Sequence, residues 1–326
     1  MKSGLPGGAK PAKQRCRIAG LAGSYSYRGF YRGLFVSNER KIQISALNIV
    51  THPHSPETYV DLFRRLYRLR QSIAVRRAQQ LMIGELRYLN RSHHTAGVFG
   101  RIYRFDQIDP DAQWFNVVSN VAATSEELSE IKIPPSLKPN LVMFNFVFHP
   151  VGHWLYFETV ADRASLGPTT VKRFFEALFS APEIIEQFGK VDATIVPEHE
   201  QLDRILTLPG LSKLTIDVKR PNPDDLANED QKVFARFDAM GARRLYQQYT
   251  AERGESIKPD DEVRLMARVA SHNGSVQGVG MSAAGDRLLE STVDHPWRDT
   301  IRYDPDVELR EDVMIARTQG AHGAGN

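Results

Sequence analysis

The chain has 326 residues, 41% of them hydrophobic and 25% charged, the composition of a soluble globular protein with room for one large or two ordinary domains. No run of about 18 apolar residues occurs, so neither a membrane span nor a membrane partner is expected. The single cysteine, Cys16, excludes an internal disulfide and thiolate-rich metal sites, and fits a cytoplasmic setting. The net charge of +3 conceals two unlike parts: residues 1–104 hold 19 Lys plus Arg against 4 Asp plus Glu, and the remainder holds 23 against 35. A polyanionic partner for the basic part is one reading of this asymmetry; mutual neutralisation of the two parts is the other.

Residues 1–16 form a basic tail that is flexible by composition and has no apolar core of the kind a secretory signal needs. Residues 17–160 read as a basic, β-rich region with one arginine-faced helix. Within it, SYSYRGFYRGLF (residues 24–35) interleaves Tyr25, Tyr27, Phe30, Tyr31 and Phe35 with Arg28 and Arg32. Aromatic faces stack on unpaired bases and arginines meet phosphates, so this is the chemistry of a single-strand or RNA binder. The plain alternative is a strand with its aromatics packed inward. KIQISALNIV alternates Ile42, Ile44 and Ala46, as one buried face of a strand requires.

Next, SPETYVDLFRRLYRL predicts a helix. Ser55 suits the N-cap, Pro56 the first helical position, and Tyr59, Leu62, Phe63, Leu66 and Leu69 recur at helical spacing. Arg64, Arg65 and Arg68 fall on the opposite side, with Arg76 and Arg77 close behind and only Asp61 to balance them. A merely solvated face usually mixes both signs, so these guanidinium groups are candidate phosphate contacts. No zinc-finger, RNP, KH or helix-turn-helix signature accompanies them. Strands are expected within 80–106, a connector over 122–140, and two apolar strands joined by a tight turn over 150–153.

Residues 161–312 read as an acidic α/β region, although 17–312 as a single domain is equally compatible. Pro168 and Pro182 each open a helix. The strand VDATIVP, the helix EQLDRILTL, the strand KLTIDVKR and a helix from PDDLANEDQKVFARFDAM follow in βαβα alternation. EVRLMARVASHNGSVQGVGM is expected to be a hairpin turning at Asn273 and Gly274, and residues 313–326 a flexible tail. The fold class is α+β (mixed α/β): one substantial, mostly antiparallel sheet with flanking helices.

Three places invite chemistry. His52 and His54, His93 and His94, and His149 and His153 are too scattered to predict a metal site. There is no nucleophile elbow and no phosphate loop. Asp217 and Lys219 share one face of a strand, and a D-x-K pair joined by Asp192, or by Glu198, outlines a nuclease centre in which carboxylates hold Mg²⁺. The bland alternative is a capped helix start just after the strand: Asn222 as N-cap, Pro223 in the first helical position, and Asp224 and Asp225 favoured by the helix dipole. It leaves Asp217, Lys219 and Arg220 without an explanation.

LTIDVKRPNPDDL, with the preceding VDATIVPEHEQLDRILTLPGLSKL, resembles an uncharacterised bacterial family catalogued as a domain of unknown function. The resemblance extends over about 18–295, with its recognisable words in about 190–226. It implies an association with phage defence and mobile elements, and it brings no active site. The leading expectation is therefore a nucleic-acid-binding protein, for RNA or DNA, that needs no cofactor. A Mg²⁺-dependent nuclease using Asp192, Asp217 and Lys219 is one alternative. A non-catalytic adaptor, self-assembling or docked on an acidic protein, is the other.

Overall fold

A computed structural model describes residues 39–52, 54–161, 164–221 and 230–323. Tyr25, Tyr27, Arg28, Tyr31 and Arg32, and the expected helix start at Asn222, Pro223, Asp224 and Asp225, lie outside the described residues.

Nine strands build one antiparallel sheet: β1 (Arg40–Val50), β2 (Ile73–Arg76), β3 (Gln79–Tyr88), β4 (Val98–Asp106), β7 (Val142–His149), β8 (Trp154–Ala161), β9 (Ala164–Ser165), β10 (Asp192–Ile195) and β15 (Asp299–Tyr303). The main path runs β10-β1-β8-β7-β4-β3-β2, with β15 on the first half of β1 and β9 on the end of β8. Residues 107–141 carry a short ribbon, β5 (Phe115–Asn116) with β6 (Val121–Ala122), and the helix α2 (Ser125–Ser129), closed by a Thr124–Glu127 capping box.

One face of the large sheet is covered by α1 (Pro56–Leu69), α3 (Pro168–Phe179) and α4 (Pro182–Phe188). α1 begins as its sequence demands. Thr58 N–H donates to the Ser55 hydroxyl at 3.1 Å, and Pro56 takes a position where no N–H is needed. Its apolar stripe then meets the sheet, with Phe63 stacked on Phe148 at 4.2 Å between centroids. α3 packs against both β2 and β10, the two edge strands, so the sheet curls around it.

The alternation read in β1 accounts for only half of its burial. Leu47 and Ile49 enter the helix-covered core, while Ile42, Ile44 and Ala46 are equally buried on the other face. That second face is closed by α8 (Arg310–Gly323), which lies against β7 and β15. The expected tail from 313 is thus, as far as 323, a docked helix. Met314 and Thr318, one turn apart, are buried; Thr318 Oγ1 meets His149 Nε2 at 3.2 Å. Arg310 forks onto the fully buried Glu158, its Nε donating at 2.6 Å. Glu311 receives Arg101, and Arg87 at 3.2 Å. Burial pushes the Glu158 carboxyl above its ordinary value, and Arg310 and Asn145 pull against that shift.

A second antiparallel sheet holds β11 (Lys213–Lys219), β12 (Arg244–Thr250), β13 (Gly274–Met281) and β14 (Arg287–Ser291) in the order β12-β11-β13-β14. Its core gathers Leu214, Ile216, Val218 and Val276 with side chains of α5 (Gln201–Leu206), α6 (Asp230–Met240) and α7 (Asp261–His272). The hairpin expected around Asn273 and Gly274 is instead a helix followed by a strand. Val263, Met266, Ala267, Val269 and Ala270 recur at helical intervals, and Asp260 caps the helix by accepting from Val263 N–H at 2.8 Å. Gly274 is required for close approach of backbones, because a Cβ there would stand 1.9 Å from the Asp217 carbonyl oxygen. The fold is mixed α+β with a large sheet. All elements from β1 to α8 fall within one compact unit, Asn38–Asn326. No described helix is long and apolar enough to cross a membrane.

Candidate nucleic-acid interface

α1 lies against β3 and the 3-10 turn His94–Ala96. Between them opens a pocket of about 240 Å³, where Arg64, Tyr67 and Arg68 of α1 face Leu86 and Tyr88 of β3. The Tyr88 ring is stacked on His94, 3.9 Å between centroids and 8° from parallel. The Arg64 guanidinium stands 5.9 Å from the centre of Tyr88, and that of Arg70 stands 4.3 Å from Tyr67, donating to its hydroxyl at 2.9 Å. Arg64 shares its charge with Asp61 at 3.3 Å, both side chains being well exposed. Arg68 forms no ion pair among the described residues. Two guanidinium groups and the rings of Tyr67 and Tyr88 thus line one depression, the residue types that stacking and phosphate contact use.

The other expected arginines are dispersed. Arg65 stands about 100° further round the helix than Arg64, and its Nε is buried without a partner among the described residues. Arg76 ends β2 and lines a different pocket. Arg77 occupies the turn from β2 to β3 with φ 22°. The structure therefore brings Arg64 and Arg68 together and leaves Arg65, Arg76 and Arg77 outside their pocket. Sequence reasoning passed over Tyr67, Tyr88 and His94. Tyr67 follows the core residue Leu66, and His94 was weighed only as a metal ligand. The signal for Tyr88 was its place at the end of an alternating strand beside Arg87.

Asp192, Lys219 and Asp217 do come near one another, but as a neutralised cluster. Lys219 Nζ lies 3.2 Å from Asp192 Oδ1, and Arg243 donates to Oδ2 at 2.6 Å. Arg244, opposite Lys219 in the sheet, forks onto Asp217 at 2.6 and 2.8 Å. Burial alone would raise the Asp192 carboxyl, yet Lys219, Arg243 and Lys190 hold it below its ordinary value. Mg²⁺ needs carboxylate oxygens that are free to enter an octahedron. Here each carboxylate is already engaged by cations, and among the described residues no group of three His, Cys, Asp or Glu side chains is placed to hold a metal ion. These residues do not fit Mg²⁺. Arg220 turns to Asp238 at 2.7 Å and lies 5.2 Å from the Phe234 ring.

Beside this cluster, His52, Lys190, Arg220 and Arg243 line a pocket of about 250 Å³. Burial, Arg220, His54 and Arg243 keep the His52 imidazole below its ordinary pKa of 6.5. The remaining histidines are placed by packing. His54 and His153 stand edge to face at 4.4 Å, against Tyr59, and His93 and His94 lie elsewhere, at the 3-10 turn where His94 stacks on Tyr88.

A search of curated proteins returns no match. The profile of a family described as Domain of unknown function (DUF4747) matches residues 40–318, from β1 into α8, and the chain belongs to that family.

Proposed function

We propose that the protein binds single-stranded nucleic acid, RNA or DNA, at the α1–β3 pocket. The observation that carries this reading is the meeting of Arg64 and Arg68 with the rings of Tyr67 and Tyr88 in one depression, where, among the described residues, Asp61 is the one carboxylate paired with either cation. A base stacked on an aromatic ring gains about 1–3 kcal/mol without regard to sequence, and guanidinium groups take the adjoining phosphates. Arg65, Arg76 and Arg77 lie outside this pocket. Tyr25, Tyr27, Arg28, Tyr31 and Arg32, outside the described residues, carry the same pairing of rings and cations in the sequence. A role in defence against phage or mobile elements is supported by the family resemblance of residues 190–226 rather than by the site.

The test is anisotropy of labelled single-stranded RNA and DNA at about 50 and 200 mM salt. The expected result is binding that falls steeply as salt rises, with a lower affinity once Arg68→Glu is introduced. No binding at low salt, or binding indifferent to salt, overturns the reading.

A further inference from the structure

A further group of cations gathers where β2 ends. There a pocket of about 330 Å³ is lined by Arg76 of β2, Arg104 of β4 and Arg298 just before β15, with Gln43, Thr159 and Ser165 between them. None of these three arginines forms an ion pair among the described residues, and no Asp or Glu is among the residues that line the pocket. The α1 arginine Arg64 has Asp61, and Arg101 has Glu85 and Glu311; this pocket has no such partner among the described residues. Like charges drawn together from separate segments repel one another, even at the high effective dielectric of a surface. A ligand that supplies the missing negative charge turns that repulsion into attraction.

The pocket is also shaped. Arg104 is held in place, its Nη1 donating to the Ser165 carbonyl at 2.8 Å and its guanidinium 5.4 Å from the centre of Phe144. Thr159 donates its hydroxyl to the Gln43 side-chain oxygen at 3.0 Å, which leaves the Gln43 amide NH₂ to donate elsewhere. α3 opens at the same place. Its N-cap, Gly167, contributes no side chain, and nothing lies within 4 Å of where a Cβ would be. Open space at the positive end of a 12-residue helix adds to what the arginines provide.

We propose that this pocket binds a phosphate monoester through Arg76, Arg104 and Arg298. Guanidinium groups fork onto tetrahedral oxyanions. Three cations without a carboxylate among the described lining residues match the near-dianionic charge of a monoester at neutral pH better than the single charge of an internal phosphodiester. The phosphate comes from a small phosphorylated molecule or from the phosphorylated end of a nucleic acid. The site is separate from the α1 pocket and does not depend on the reading of that pocket.

Calorimetric titration of the full chain tests this, with inorganic phosphate, adenosine 5′-monophosphate, and one oligonucleotide carrying either a 5′-phosphate or a 5′-hydroxyl. The wild type is expected to bind phosphate and the monophosphate. Arg76→Ala and Arg298→Ala should each weaken binding about tenfold or more, the equivalent of one charge-assisted hydrogen bond. Both side chains are exposed, so these variants retain the fold, which the urea midpoint verifies. Arg104→Lys keeps the charge but loses the fork, and should also bind more weakly. Arg68→Ala, in the other pocket, should leave phosphate binding unchanged. A preference for the 5′-phosphorylated over the 5′-hydroxyl oligonucleotide identifies a nucleic-acid end as the source, and equal binding of the two with retained monophosphate binding identifies a small molecule. Failure of the wild type to bind phosphate at millimolar concentration overturns the proposal, as does equal binding by Arg76→Ala/Arg298→Ala.

Discussion

Arg64 and Arg68 stand one turn apart on α1, yet Arg64 has a carboxylate beside it and Arg68 has none among the described residues. Substituting them should therefore have unequal effects. Arg68→Ala removes an uncompensated cation, and is expected to lower the salt dependence of oligonucleotide binding by about one counterion as well as the affinity. Arg64→Ala also releases Asp61, whose charge then opposes the ligand. The second effect is specific to low salt, so the two variants should converge as salt is raised. Tyr88→Leu keeps apolar packing against the core but removes the π face. It is expected to cost about 1–3 kcal/mol of binding with an unchanged thermal midpoint; equal affinity would remove Tyr88 from the interface. His52 gives a prediction about stability. Its folded pKa lies below 6.5, so just under pH 6.5 the unfolded chain holds the more protons, and stability rises with pH through that window before levelling above it. Replacing it by Gln should flatten that slope in urea titrations run at successive pH values. Slopes identical to the wild type would show that His52 does not report on folding.

Helix α8 depends on ion pairs made to strands far away in sequence. Removing one partner of a buried pair strands the other, at about 3–5 kcal/mol. Arg310→Ala leaves Glu158 fully buried without its guanidinium and should lose stability on that scale, as read by the urea midpoint. Arg310→Met with Glu158→Leu should recover most of it; if the double variant is as unstable as the single one, the loss came from packing rather than from the stranded charge. The same dependence explains which elements could be read from sequence. α1 was legible because Ser55, Pro56 and the apolar spacing act within 14 residues. α8 was not, because among its described side chains only Met314 and Thr318 are buried, and its anchors Glu158, Arg101 and His149 come from strands that the chain left about 150 residues earlier or more. Asn273 and Gly274 misled because two adjacent residues suited to a turn can also end a helix. What chose between these was the helical spacing of Val263, Met266 and Ala270 and the crossing of Gly274 over the Asp217 carbonyl. In the candidate site, Arg64 and Arg68 were legible and their aromatic neighbours were not, since Tyr88 and His94 meet α1 only through the packing of β3 and the 3-10 turn against it.

At the scale of the whole molecule, the excess of cations in the first 104 residues meets two fates. Some are neutralised by the acidic part: Arg87 and Arg101 by Glu311 of α8, and Lys41's strand neighbour Arg302 by Glu39 in the reverse sense. Others, Arg68, Arg76 and Arg104, form no ion pair among the described residues and border the two pockets. Neutralisation by the acidic part therefore accounts for some of these cations and leaves others without an ion pair among the described residues, and α8 supplies part of that neutralisation. A chain ending at residue 309 tests that contribution. It would lose Glu311, which leaves Arg87 and Arg101 less compensated, and Met314, which uncovers Ile42, Ile44, Phe99, Val147 and Tyr156 on the second face of the large sheet. An apolar face of that extent drives association. The shortened chain is expected to elute earlier than the full chain in size-exclusion chromatography, or to precipitate, and to unfold at lower urea. Because the α1 pocket lies on the opposite face of the sheet, whatever remains folded should still bind oligonucleotide in a salt-dependent manner. Elution and urea midpoint identical to those of the full chain would show that α8 is an accessory and not the second layer of the fold.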